Sequence, residues 1–326
     1  MTRHGVILAT IVAAAIAAPG VIYPIFLMKL LCFALFACAF NLLVGFSGLI
    51  SFGHAAFFGV GGYTAGYIIK SWGLTPELAL LAATAVSATL GVAIGRLAIR
   101  SHGIYFSMVT LALAQLVYFV CLQAPFTGGE DGIQGVPRGK LFGLISLAND
   151  VGLYYFILAV CAFGFLAIYR IVHSPFGNIL KSIRENEQRA VSLGYDVDQF
   201  KLVTFVLSAA ISGLAGAAKT IVFGFATLND VHWHTSGEVV LMTLLGGIGT
   251  ILGPIVGSTL VVMLQSELAD RVGSKVTIIM GLVFIACVLS FRRGIVGEFI
   301  AWRARRASSQ RISDVDGRAV VSDAAE

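Results

Sequence analysis

The sequence predicts an all-α integral membrane protein, a polytopic helical bundle with about eight to ten membrane segments. Of its 326 residues, 58% are hydrophobic and only 12% are charged, whereas about a quarter of a typical soluble domain is charged. Apolar runs that approach or reach the roughly 20 residues of a membrane-spanning helix cover residues 6–22, 25–45, 78–97, 153–169 and 276–291. A transmembrane barrel would need short segments that alternate polar and apolar residues, and the sequence does not alternate in this way.

Positive charge is distributed unevenly between the loops, and this predicts the orientation. Of the 22 lysines and arginines, 15 lie in the N-terminus, the turn 96–102, the loop 170–201 and the segment from residue 292 onward. Because cytoplasmic loops are rich in basic residues, we expect both termini in the cytoplasm of a bacterial inner membrane. The same distribution accounts for the net charge of +5 without a nucleic-acid partner.

The chain is expected to form one permease domain, residues 1–305, followed by a polar tail, residues 306–326, predicted to be disordered. The first apolar run resembles a secretory signal, but a second run follows at once, which favours a retained helix. The five cysteines lie in or at the ends of apolar segments without a Cys-x-x-Cys pair, which is typical of buried apolar residues.

Counting predicted crossings exposes an unusual segment. Helices near 6–22, 25–45, 48–69, 77–97, 103–122, 152–171 and 201–223 would end outside. A last helix near 275–291 must then return inward, so residues 224–274 must begin and end outside. Gly246, Gly247, Gly249 and Pro254 interrupt this segment, because glycine and proline disfavour a continuous helix. We expect an interrupted or re-entrant pair of short helices, or two full crossings.

A second glycine-rich interruption occurs between residues 45 and 62. Broken segments in corresponding halves indicate inverted repeats around a central substrate path. Close packing of helices through small residues is the other interpretation, and the stretch 213–216 shows the same composition.

The loop 173–200 contains a short amphipathic helix. Ile179, Ile183 and Ala190 recur at spacings near three and four, and Gly194 occupies a position where a helix end favours glycine. Such a helix either binds in the groove of a partner protein or lies on lipid headgroups. Its mixed charge favours the protein partner, because helices bound to lipid surfaces are mostly basic.

Four blocks of sequence resemble motifs of the permeases of branched-chain amino-acid ABC importers. They lie in family order at residues 41–59, 127–132, 174–194 and 245–254. The extra N-terminal helix and the Gly-Gly-x-Asp-Gly loop are similar to the LivM-type member of the permease pair rather than the LivH-type. Asn178 and Ser182 depart from the pattern, which has a basic residue and an alanine there.

The resemblance implies that the loop 173–200 couples the permease to ATPase subunits. The residues assigned to this coupling are Ser174, Pro175, Phe176, Gly177, Lys181, Ile183, Arg184, Glu185, Asn186, Glu187, Arg189, Leu193 and Gly194. It also implies the partners, which are a second, LivH-type permease, two ABC ATPase subunits and an extracytoplasmic substrate-binding protein. The sequence contains no Gly-x-x-x-x-Gly-Lys-Ser/Thr phosphate loop, so we expect no cofactor in this chain and ATP on its partners.

Polar residues and glycines of the apolar segments are candidates for lining a translocation path, although each has a packing alternative. They are Asn41, Ser47, Ser51, His54, Tyr63, Glu238, Gly246, Gly247 and Gly249. Glu238 either caps a helix N-terminus or faces a cavity. Lys219, inside an apolar helix, is either functional or extends toward the outer surface.

The outer loop 125–151 is the largest predicted loop on that side, and it is expected to meet the binding protein. Its candidate residues are Gly128, Gly129, Glu130, Asp131 and Gly132. We predict no metal site, because His232 and His234 have no further ligands near them in the sequence.

The resemblance implies import of leucine, isoleucine and valine, with another amino acid, an amide or urea as alternative cargo. An ion-coupled transporter would carry carboxylates inside its spans, and here Glu238 is the nearest candidate. A membrane enzyme would need a reactive cluster such as His-Glu-x-x-His, which the sequence does not contain.

Overall fold

The computed structural model describes residues 18–20, 22–141, 143, 145–272, 278–279, 281–282, 285 and 294–298. The predicted first helix (6–22), most of the predicted last helix (275–291) and the tail 306–326 lie outside the described residues. The total number of crossings, the position of the termini and the domain boundary at residue 305 therefore stay predictions.

The described residues form a helical bundle with two small antiparallel β-ladders. The helices are α1 (Pro24–Asn41), α2 (His54–Trp72), α3 (Pro76–Ala98), α4 (Ile104–Gln123), α5 (Asp150–Val172), α6 (Pro175–Glu185), α7 (Glu187–Ser192), α8 (Val197–Phe223), α9 (Trp233–Gly246) and α10 (Gly253–Val272). The strands are β1 (Ile133–Gln134), β2 (Lys140–Leu141), β3 (Ile145–Ser146) and β4 (Phe225–Ala226), paired β1 with β4 and β2 with β3.

Five helical segments of the described chain are long and apolar enough to cross a membrane. They are Pro24–Ser47, Pro76–Ala98, Ile104–Gln123, Asp150–Val172 and Val197–Phe223. The chain is thus a multi-pass membrane protein, and each of these segments coincides with a predicted crossing. On α4 the large side chains of Tyr105, Met108 and Leu116 are exposed, as expected for a helix that faces lipid.

Helix α8 lies at the centre of the bundle and packs against α1, α2 and α3. The contact with α2 is very close, since a Cβ placed on Gly61 would lie 2.6 Å from Cα of Gly213. Only residues without a side chain allow backbones to approach in this way. The stretch 213–216 thus allows close packing of α8 against α2.

The two long loops lie at opposite ends of the bundle. At one end, which we call the loop end, Ile133 of the 125–151 loop pairs with Ala226, just beyond α8. At the other end, α6 and α7 join α5 to the start of α8. We call residues 173–196 the linker and this end of the bundle the linker end. The single helices α5 and α8 each connect these two ends.

Two helix breaks lie at the linker end, where glycines interrupt the sequence. Helix α1 continues into a π-helical turn, Leu42–Ser47, which Gly48 ends at φ +77°. Helices α9 and α10 are separated by residues 247–252, in which Gly249 has φ +77°. Both breaks were predicted; the re-entrant path of α9 and α10 and the inverted repeats remain predictions.

Two boundaries differ from the sequence-based expectation. The helix expected from residue 48 begins at His54, because Gly48 turns the chain and Ser51 Oγ accepts a hydrogen bond from the Gly53 amide at 3.2 Å. The amphipathic helix is split at Asn186, whose side chain caps α7 by accepting from the Arg189 amide at 2.9 Å. Asparagine prefers this capping position to a helix interior.

Candidate coupling and translocation site

Helix α6 is held against the bundle by its apolar face. Ser174 caps its N-terminus by accepting from the Gly177 amide at 3.4 Å, and Pro175 follows at a position where proline suits a helix start. Leu180 and Ile183 are buried, and Ile183 packs with Ala190 and other apolar residues of the linker end. The spacing that predicted an amphipathic helix thus defines its docked face.

An ion pair connects α7 to α8. Lys201 Nζ lies 2.6 Å from Glu187 Oε1, and the lysine side chain is almost completely buried. Next to this pair, the rings of Phe176 and Phe200 stack at 5.4 Å between centroids. The linker and the start of α8 therefore form one packed unit.

Arg184 connects this unit to the break in α1. Its guanidinium donates a hydrogen bond to the Gly45 carbonyl in the π-helical turn, and its aliphatic carbons lie close to Gly48. Lys181, one turn earlier, lies 5.9 Å from the centroid of the Phe46 ring. Two basic side chains of α6 thus contact the same broken segment.

Asn41 joins the two breaks to each other. Its Oδ1 accepts from the Gly249 amide at 2.9 Å, and its Nδ2 donates to the Thr250 carbonyl at 2.8 Å. The approach requires Gly45, since a Cβ there would lie 2.7 Å from the Gly249 nitrogen. We call the five residues Asn41, Gly45, Arg184, Gly249 and Thr250 the junction.

The rest of the linker presents an exposed surface. Val191 and Leu193 are 57% and 69% exposed, a large fraction for apolar side chains. Glu185 and Arg189 on the same loop are also exposed. Exposed apolar side chains on a segment that also carries exposed charges are typical of a surface that binds another protein.

The remaining path candidates are dispersed rather than gathered at one cavity. His54 is fully buried, with Nε2 2.8 Å from Ser208 Oγ, and its ring packs edge-on against Phe40, Phe57 and Phe205. Tyr63 is buried, and its hydroxyl has no hydrogen-bond partner among the described atoms. These positions fit helix packing at least as well as a path.

Four further candidates have local roles at the linker end. Ser47 Oγ donates to the Leu43 carbonyl at 2.6 Å, within the π-helical turn. Ser51 shapes the turn before α2, as described above. Gly246 ends α9, and Gly247 follows it with φ +118°. Each of these residues shapes one of the two breaks.

The glycines of the 125–151 loop place this loop against the loop end of α8. Gly132 has φ +68°, and a Cβ there would lie 3.2 Å from Cα of Thr227. Gly128 and Gly129 also have positive φ, whereas Glu130 and Asp131 are exposed. The glycines therefore hold the loop in place, and the two carboxylates are free to meet a partner.

A charged cavity at the loop end contains residues that the sequence analysis did not single out. Lys29 and Asp230 line it together with Lys219 and Glu238. Charged residues near apolar helices indicate such sites. The sequence does not show that Lys29 on α1 and Asp230 before α9 line one cavity, because the two residues are far apart in the chain.

Among the described residues, no group of three or more His, Cys, Asp or Glu side chains could hold a metal ion.

Comparison with known proteins identifies the family. The chain is 29% identical to the high-affinity branched-chain amino acid transport system permease protein LivM of Salmonella typhimurium, over 71% of this chain and 60% of the relative. It is 28% identical to the Escherichia coli LivM over the same shares, and 25% identical to BraD of Pseudomonas aeruginosa over 82% of this chain and 92% of BraD.

The chain thus spans about 60% of the length of the two LivM relatives. No solved structure matches it significantly. The family profile of the permease component of branched-chain amino acid transport systems matches residues 22–289, which is most of the chain. The chain therefore belongs to the branched-chain amino acid transport system permease family.

Proposed function

We propose that this chain is one of the two permease subunits of an ATP-driven importer for branched-chain amino acids. The second subunit is a LivH-type permease. Two ATPase subunits bind the ATP, and an extracytoplasmic binding protein delivers the substrate. Both termini and the linker end face the cytoplasm, and the loop end faces outward. The chain itself catalyses no reaction.

The observation that carries this proposal is the contact between Arg184 and the break in α1. A helix that docks ATPases must transmit their movement to the membrane segments. Through Arg184, α6 is bonded to the Gly45 carbonyl, and Asn41 extends the connection to Gly249 and Thr250. Displacement of α6 therefore acts on both helix breaks at once.

The breaks are suitable points of movement. Backbone that has left the regular helical pattern can change φ and ψ without unwinding a whole helix. We infer that ATP-driven closure of the ATPases displaces α6 and α7 as a unit. That displacement shifts the population of the bundle between outward-open and inward-open arrangements.

The exposed patch at Val191 and Leu193 supports an ATPase as the partner of the linker. These side chains lie on the surface of the linker that α8 leaves uncovered. Burial of a leucine or valine side chain contributes roughly 1.5–3 kcal/mol, so a protein partner gains binding energy there. The exposed charges of Glu185 and Arg189 would fix its register.

Substrate uptake that depends on the ATPase tests the proposed function. In cells that express all subunits, uptake of radiolabelled leucine should disappear when the Walker A lysine of the ATPase is replaced. Leucine, isoleucine and valine should compete with one another, because one binding protein serves all three. Uptake that persists with the inactive ATPase would instead identify an ion-coupled transporter.

A further inference from the structure

A cavity of about 550 Å³ opens at the loop end between α1, α8 and α9. This volume is within the range of about 300–1,000 Å³ that small-molecule sites occupy. Two lysines, two carboxylates and three phenylalanines contribute to its wall. The charges are balanced, with Lys29 and Lys219 against Asp230 and Glu238.

One of the two charge pairs is closed within the protein. Lys219 Nζ lies 2.8 Å and 2.7 Å from the two carboxylate oxygens of Asp230, and both side chains are largely buried. Asp230 also accepts from the amide of Thr227 at 3.2 Å. These bonds occupy the charges of both residues, so the pair is a fixed part of the wall.

Lys29 differs from Lys219 because it has no partner in the described part of the chain, where no hydrogen bond or ion pair reaches its ammonium group. Its side chain is half-buried on α1 and lines the cavity. Lysine inside a membrane-spanning helix is costly and rarely left unpaired. The cavity thus presents one cation without a hydrogen bond or direct ion pair, on which Glu238 acts only through space.

Glu238 supplies an anion at the same cavity. It accepts a hydrogen bond from Gln265 Nε2 at 2.9 Å, and His234 Nδ1 lies 3.6 Å away. A carboxylate has about four lone-pair sites, so it retains room for a further donor. The cavity therefore offers both an unpaired cation and an anion that can accept.

The apolar part of the wall is aromatic. Phe33 follows Lys29 by four residues and shares its face of α1. Phe223 and Phe225 lie 5.7 Å apart between ring centroids, and Lys219 lies over both rings. A ligand with two opposite charges and an apolar side chain matches all three parts of this wall.

We propose that this cavity binds a zwitterionic amino acid, with Lys29 pairing its carboxylate, Glu238 pairing its ammonium group and the three phenylalanines contacting its side chain. The inference rests on the proposed import function and goes further by assigning the residues that bind the substrate. A neutral amide or urea would offer no carboxylate to Lys29.

The test uses the complete transporter in proteoliposomes, with liganded binding protein on the outer side. Lys29→Met should lower the maximal rate of leucine, isoleucine and valine transport by about tenfold or more, because a hydrogen bond to a charged group is lost. Lys29→Arg should keep the rate within about threefold, since it keeps the charge. The half-saturating concentration of binding protein should not change.

The matched control is Lys70→Met. Lys70 also lies toward the loop end, but its ammonium group donates to the Gln134 carbonyl at 2.8 Å, and it is not part of the cavity wall. Its loss should leave transport unchanged. If Lys29→Met fails to assemble, Glu238→Gln provides an independent variant with the same expected loss.

The outcomes separate the inference from the function on which it rests. Absence of ATP-dependent uptake of any amino acid, amide or urea by the wild type would overturn both. Wild-type uptake of urea or amides but no amino acid would also overturn both. If the wild type imports amino acids, a normal rate in Lys29→Met would overturn only the inference. A raised half-saturating concentration at a normal maximal rate would overturn it too, because this result indicates a role in protein docking.

Discussion

Replacement of Arg184 by alanine is expected to lower ATP-driven uptake by about tenfold or more, because the charged hydrogen bond to the Gly45 carbonyl is lost. The apolar face of α6, including Leu180 and Ile183, is untouched, so the helix should stay docked. ATP hydrolysis should continue but no longer respond fully to the binding protein. Parallel assays of uptake and hydrolysis in proteoliposomes measure this uncoupling.

Arg100→Ala is the matched control for this variant. Arg100 is an exposed arginine in the turn between α3 and α4, outside the junction. Its replacement removes the same charge without touching either helix break, so coupling should be normal. Equal losses in both variants would mean that the general positive charge, rather than the junction, is responsible. Wild-type coupling in Arg184→Ala would remove Arg184 from the mechanism.

Replacement of Lys219 by methionine is expected to destabilise the protein by about 3 kcal/mol or more, because Asp230 is left charged and buried. The unfolding midpoint of the purified permease in detergent should fall by about 5 °C or more. Addition of Asp230→Asn should restore a large part of the loss, since the uncompensated charge is then removed. Thermal unfolding followed by size-exclusion chromatography measures all variants.

The ion pair between Arg138 and Asp150 serves as the comparison. It is slightly shorter, at 2.6 Å, but its side chains are 28% and 38% exposed. An exposed pair contributes at most about 1 kcal/mol, so Arg138→Met should have a small effect. A loss in Arg138→Met as large as in Lys219→Met would show that burial does not set the contribution of these pairs.

Hydropathy and loop charge predict the helices well, because a membrane span needs a long apolar segment. The predicted helix 201–223 and α8 end at the same residue, and Gly224 ends α8 with φ +74°. The start of α2 was placed too early, since the apolar character of residues 48–53 does not show that Gly48 and Ser51 form a turn. The sequence analysis also missed the split at Asn186, because the helical spacing of the apolar residues does not show that this side chain caps a new helix.

The functional surfaces could be predicted only in part. Arg184 was assigned to the linker by local pattern and resemblance, but its acceptor, Gly45, lies 139 residues earlier. The contact of Asn41 with Gly249 spans 208 residues. Such contacts depend on tertiary packing, which a pattern of helical period does not encode. The unpaired state of Lys29 likewise becomes visible only when the cavity is assembled.

The central claim is that the linker faces the cell interior and contacts a nucleotide-hydrolysing protein. Crosslinking from Gln188→Cys, in a chain with Cys287 replaced by serine, tests it most directly. Gln188 is exposed on α7, whereas Cys32, Cys38, Cys121 and Cys161 are buried, so the new thiol should dominate the reaction. We expect a crosslink to the ATPase subunit and protection from a membrane-impermeant maleimide added outside intact cells. Labelling from the outside, or no crosslink to an ATPase in the assembled transporter, would contradict the account.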